Sequence, residues 1–146
     1  MRRRYDEKHV DRRDLQELAR VRLKEATALL SLGLFDGAYY PAGYAVECGL
    51  KACIAKEPCG TSFRTSGGWI PATRTTCVSW LELTGLSDEL AGRVGKDPGF
   101  KLNWEVVQEW SEQSRYQKHR PEAAQQMLEG VGNRSHGVIS WIKLHW

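Results

Sequence analysis

The sequence predicts an all-α protein, an antiparallel helical bundle of about five helices. Three observations predict it. Apolar residues recur at helical spacing over long stretches, residues suited to starting and stopping helices punctuate those stretches, and the connections between them are short.

Asp14 reads as the N-cap of a first helix, with Glu17 three residues on to complete a capping box. Leu15, Leu18, Ala19, Arg22, Ala26, Leu29, Leu30 and Gly33 then follow one helical stripe, in which Arg22 is the charged member. Gly33 fits the C′ stop. Asp36 reads as the cap of a second helix running to about Lys56. Ala38, Ala42, Ala45, Gly49 and Ala52 give that helix one small face, which lets a neighbour approach closely, and Tyr39, Val46, Leu50 and Cys53 add bulk beside it. Pro41 and Gly49 conflict with this helix, since proline lacks a backbone donor and an interior glycine costs about 1 kcal/mol relative to alanine. A kinked or late-starting helix is the expected compromise.

Ser87 caps a short helix through Val94, and Gly95 to Gly99 reads as a loop. Asn103 is the expected cap of a long helix that places Trp104, Val107, Trp110, Ser111 and Ser114 on one side and Glu105, Glu109 and Glu112 toward water. Trp104 and Trp110 read as core. Pro121 suits the first position of another helix, whose Ala124, Met127, Leu128 and Val131 point inward. The run Gly130-Val131-Gly132-Asn133 breaks it before a terminal stretch from Val138 to Trp146.

A chain of 146 residues with 41% hydrophobic and 27% charged residues is one ordinary globular domain, with a core large enough to need no staple. No apolar run reaches the roughly 18–20 residues of a membrane helix, and the basic start lacks an apolar continuation, so a cytoplasmic location is expected. The net charge of +3 is uneven: residues 1–24 hold nine Lys or Arg against five acids, a local net of +4. Residues 1–13 form a basic arm that serves either as a solvating tail or as a contact for phosphates, and residues 14–146 form the domain. Cys48, Cys53, Cys59 and Cys77 include no C-x-x-C pair and no histidine at zinc-ligand spacing, so neither a disulfide framework nor a metal is expected. No phosphate-cradling glycine loop or nucleophile elbow is present, and no cofactor is expected.

Asp36 to Lys51, DGAYYPAGYAVECGLK, resembles the second helix of the HEPN family (higher eukaryotes and prokaryotes nucleotide-binding), small helical bundles found mainly in bacteria and archaea. The stretch from Asn103-Trp104 through Trp110-Ser111-Glu112-Gln113-Ser114-Arg115-Tyr116 and the ending Trp141-Ile142-Lys143-Leu144-His145-Trp146 are similar to the same family. The resemblance implies the helical fold, a homodimer, and a working partner such as a small nucleotidyltransferase in a toxin–antitoxin or defence setting. It also implies contact with a nucleotide or RNA.

Residues 60–80, GTSFRTSGGWIPATRTTCVSW, show neither helical nor strand periodicity. Joining the last base of each codon to the first two of the next permits Asp-Ser-Arg-Tyr-Thr-His-Asp-Leu late in this stretch, which looks like the family at this place. Two readings stay open: a divergent surface loop, or a pair of compensating frame shifts near Cys59-Gly60 and Trp80-Leu81. Under the second, Trp69, Cys77 and Trp80 have no role.

Ribonucleases of this family resemble one another in an arginine, a polar residue and, a few positions on, a histidine. Imidazole can take the proton of an RNA 2′-hydroxyl and return one to the leaving oxygen, while guanidinium neutralises phosphate charge, with no metal required. Arg115 and His119 are the candidates, with three intervening residues, one short of the pattern, and Tyr116 in the place of a small polar residue. On a continuous helix they share a face; surface structural roles are the other reading. Arg134-Ser135-His136 reads as a loop. Glu47 reads as one half of a structural ion pair with Arg115 or Arg22. Tyr39, Tyr40 and Tyr44, with Arg115, are candidates to contact a nucleotide or RNA, and also candidates for core or a dimer face. Three functions therefore stand: a nucleotide- or RNA-associated binding module with a partner, a metal-independent ribonuclease, and an inactive product of a frame-shifted gene.

Overall fold

A computed structural model of the chain describes residues 10–55 and 76–146. The described residues form seven α-helices and one 3-10 turn: α1 Arg12–Ser31, α2 Phe35–Ile54, α3 Cys77–Thr84, α4 Ser87–Lys96, α5 Pro98–Val107, the 3-10 turn Glu112–Tyr116, α6 Pro121–Gly132 and α7 Val138–Ile142. The fold is an all-α bundle. The basic arm through His9, and residues 60–75 of the irregular segment with Cys59 and Trp69, lie outside the described residues.

The first hairpin follows from local chemistry. Asp11, not Asp14, is the N-cap of α1: its carboxylate accepts from the Asp14 N–H at 2.9 Å, and Asp14 returns the contact to the Asp11 N–H at 3.2 Å. The box is thus one turn earlier than the sequence reading set it. At the other end Gly33 adopts φ +73°, with its N–H on the Leu30 carbonyl and the Leu34 N–H on Leu29, a Schellman closure.

Helix α2 is the centre of the bundle, enclosed by α1, α3, α6, α7 and the 3-10 turn. It begins at Phe35 and runs through Pro41, so the late start does not occur. Gly37, whose carbonyl Pro41 cannot serve, is exposed and open to hydration. Ala38, Ala42, Ala45, Gly49 and Ala52 are all buried against neighbouring helices of the same chain. The small side chains are consumed in bringing helices together within one bundle. A Cβ at Gly49 would stand 3.0 Å from Ile142 on α7, which explains the glycine.

The second half departs most from the sequence reading. Gly95 to Gly99 is not a loop, because Asp97 caps α5 through the Phe100 N–H and Pro98 takes the first helical position. Asn103 therefore lies inside α5, and that helix ends at Val107 instead of continuing to Tyr116. A reciprocal box between Ser111 and Ser114 opens the separate 3-10 turn. The break lets Trp110 turn fully inward against α2, while Trp104 is also buried, as expected of core. Helix α6 starts at Pro121 and buries Ala124, Met127, Leu128 and Val131, also as expected.

Residues 76–80 are ordered by ordinary helix chemistry. Thr76 accepts from the Ser79 N–H to cap α3, Cys77 and Trp80 enter the core, and Lys51 Nζ sits 4.5 Å from the Trp80 ring centroid. Both fill the space beside α2.

Candidate functional site

Two of the predicted site residues fall on either side of the end of the 3-10 turn. Arg115 is in the 3-10 turn and His119 in the extended segment before α6, so the shared helical face expected of them does not exist. The His119 ring stacks on Tyr39 with centroids 3.7 Å apart and planes 9° apart. Its Nε2 lies 3.0 Å from the Ser114 carbonyl; a carbonyl only accepts, so Nε2 carries a proton there. The His119 N–H is bonded to Asp36. Asp36 is thus not the cap of α2, whose N-cap is Leu34 without a side-chain bond; it ties the approach to α6 onto the first turn of α2. Beside His119 is a hollow of about 270 Å³ walled by the α1–α2 turn, and among the described residues it presents Asp36 and no Lys or Arg. A phosphate placed there would meet a carboxylate.

Tyr39 is equally withdrawn from any base: it is 8% exposed and His119 covers its ring. Burial, then the Glu109 carboxylate, holds its phenol above the usual range.

The remaining candidates do meet. Tyr40 and Tyr44, one helical turn apart on α2, stack with centroids 6.0 Å apart and planes 10° apart. Both are half-buried, and Tyr40 also leans on Trp110 at 5.4 Å. Trp110 Nε1–H donates to the Tyr40 carbonyl at 3.1 Å, which fixes the start of this aromatic row. The Arg115 guanidinium hangs over the row, 6.0 Å from the Tyr40 centroid and 5.0 Å from that of Tyr116. Arg115 and Tyr116 are exposed. Arg22 flanks the row from α1, held by Glu25 at 2.6 Å. Burial, with Cys48 and Glu47 next, pushes the Tyr44 phenol up to about 12, so it stays protonated and able to donate.

Glu47 lies beneath this row. It is paired with Lys51 at 2.5 Å, not with Arg115 or Arg22 as expected. The spacing i, i+4 decides this, because both residues ride on one helix and need no tertiary approach. Burial raises the Glu47 carboxyl above its ordinary value and Lys51 opposes that rise; Oε2 of Glu47 has no hydrogen-bond partner among the described residues. Burial also pushes the Cys48 thiol up to about 11 and the Cys77 thiol further, so neither is a thiolate nucleophile at neutral pH.

Sequence reasoning missed Lys51, although Glu-x-x-x-Lys is a legible helix pair. It also missed Tyr116, read as a departure from a motif when it is the second ring under Arg115. The arrangement offers aromatic faces, flexible cations and two acids, and among the described residues no cluster of three potential ligands for a metal ion. No helix among them is long and apolar enough to cross a membrane. No family model, no curated protein and no solved structure matches the chain.

Proposed function

We infer that the chain is a HEPN-like module that binds single-stranded RNA or a nucleotide through Arg115, Tyr116, Tyr40 and Tyr44. The single observation that carries this reading is the exposed guanidinium poised over two tyrosine rings, with a third ring stacked alongside. Aromatic faces accept any base by stacking, and an arginine beside them supplies both phosphate charge and a planar stacking surface. The resemblance adds a homodimer and a nucleotidyltransferase-type protein partner in a toxin–antitoxin or defence setting. With the small face of α2 consumed inside the bundle, a second copy would have to meet another surface.

The site favours binding over cleavage. His119 has one face against Tyr39 and its Nε2 proton on a carbonyl, and among the described residues the hollow beside it has no Lys or Arg to hold a phosphate.

Fluorescence anisotropy with a labelled single-stranded RNA tests the reading. Affinity should fall steeply with salt; Arg115→Ala should weaken it and reduce the salt slope by about 1, and Tyr116→Ala should cost about 1–3 kcal/mol for one lost stack. Tyr116 is 74% exposed, so its replacement leaves the core intact. Equal affinity in both variants would remove the reading.

A further inference from the structure

The hollow at the α1–α2 turn stands at one end of the tyrosine row. Asp36, Tyr40 and Tyr44 recur at i, i+4 within α2, so they follow one another along one side of the helix at a rise of about 6 Å per step. Asp36 lines the hollow of about 270 Å³, together with Leu34, Phe35 and His119. Its bond from the His119 backbone N–H uses Oδ1 and leaves Oδ2 available to a ligand. Asp36 makes no ion pair among the described residues.

A second, independent observation is the segment that leads from the row to this hollow. Gln117 and Arg120 have extended backbones, with φ −102° and ψ 151° at the first and φ −70° and ψ 155° at the second. In an extended stretch, residues two apart share a side, opposite to the residue between them. The His119 ring turns in against Tyr39, which puts Lys118 and Arg120 outward. Both are exposed, and neither forms an ion pair among the described residues. From Arg115 to Arg120 the segment holds three Lys or Arg and no acid. Uncompensated cations that run from a stacking platform to a hollow with a carboxylate suit a ligand longer than one nucleotide, with its phosphates outside and a base inside.

We propose that this site, on the reading of the row given above, takes a single RNA strand in preference to a mononucleotide and seats one base bearing an exocyclic amine in the hollow. The amine donates to Oδ2 of Asp36, and Lys118 and Arg120 meet the adjoining phosphates. A carboxylate repels a phosphate but accepts from an amine N–H through a charge-assisted bond. Guanine, adenine and cytosine carry such an amine. Uracil has none, and the one N–H of its pairing edge lies between two carbonyl oxygens that a carboxylate repels. Leu34 is 52% exposed at the hollow, apolar surface that a base would cover.

Fluorescence anisotropy of the full chain tests the proposal, with labelled hexauridine and with hexamers carrying guanosine, adenosine or cytidine at the third position. Each amine-bearing hexamer should bind about tenfold more tightly than hexauridine. Asp36→Asn should abolish that difference, because an amide whose oxygen holds the His119 N–H turns its own donors toward the base. Lys118→Gln with Arg120→Gln should weaken every hexamer by the same factor and lower the salt slope by about 1–2. In the unmodified protein the methyl resonances of Leu34 should shift with the guanosine hexamer and not with hexauridine, which keeps the test valid if a variant fails to fold. Equal binding of all four hexamers would overturn the proposal and leave the reading of the row standing. So would a preference that survives in Asp36→Asn, or guanosine monophosphate competing as well as the guanosine hexamer. No binding of any hexamer would remove the reading of the row, and this proposal with it.

Discussion

The indole of Trp110 occupies the space that any side chain at Gly43 would need. A Cβ built there would stand 2.1 Å from Cδ1 of the ring. Gly43 is buried in the middle of α2, and Trp110 reaches it because α5 stops at Val107 and the chain turns inward. The indole then bonds the Tyr40 carbonyl and supports the tyrosine row. One glycine thus couples the end of α5 to the placement of the candidate interface.

Gly43→Ala should therefore destabilise the fold, although alanine is the better helix former. Overpacking costs about 1–3 kcal/mol, against about 1 kcal/mol gained in helix propensity, and displacement of a whole indole places this site at the upper end. Urea unfolding gives the comparison. A variant as stable as the parent would mean that Trp110 can move without cost.

Glu47 gives a pH dependence with a definite sign. Burial raises its folded-state pKa above the unfolded value, despite Lys51. Its contribution is fully present below the ordinary carboxylate range and is lost as pH rises through the raised folded value. Glu47→Gln should be at least as stable as the parent at neutral pH, and should show a flatter change in urea midpoint from mildly acid to neutral conditions. A large loss of stability at neutral pH would show that the Lys51 pair outweighs the burial cost.

Asp97 acts in the opposite direction. The His136 hydrogen bond at 2.8 Å, then the Phe100 N–H, lowers its carboxyl below the ordinary value, with Arg93 at 3.0 Å adding to the effect. Its contribution is present above the ordinary carboxylate pKa and is lost as pH falls through the depressed folded value. Asp97→Asn should be less stable than the parent at neutral pH, and the two should converge in strong acid. A constant difference across that range would mean that the cap, not the charge, carries the effect.

His119→Ala separates structure from chemistry. It removes the ring from Tyr39 and the bond to Ser114, for a loss of about 1–2 kcal/mol. RNA affinity should hold, because the Arg115 cluster is untouched. Metal-independent RNA cleavage by the parent that this variant abolishes would restore the ribonuclease reading.

The fold class was legible because it rests on local signals. The stripe of α1, Gly33, Pro121 and the inward face of α6 each follow from neighbours a turn or two away. The failures have the same physical form. Asp11 competed with Asp14 as a cap, and both offer a carboxylate to the same free N–H groups. Asp97-Pro98 looked like loop because the glycines around it outweighed one good cap. Glu47 was assigned to distant arginines when its partner was one turn along the same helix.

Local chemistry in the chain thus determined the helices, the turn at Gly33 and the burial of the two central tryptophans, since caps, glycine conformations and apolar spacing act over a few residues. Only the tertiary structure decided that Arg115 joins Tyr40 and Tyr116 while His119 covers Tyr39. That choice depends on where α5 ends, and α5 ends where Trp110 finds the space left open by Gly43, far away in sequence. A packing vacancy of this kind has no periodicity and leaves no mark in either segment read alone.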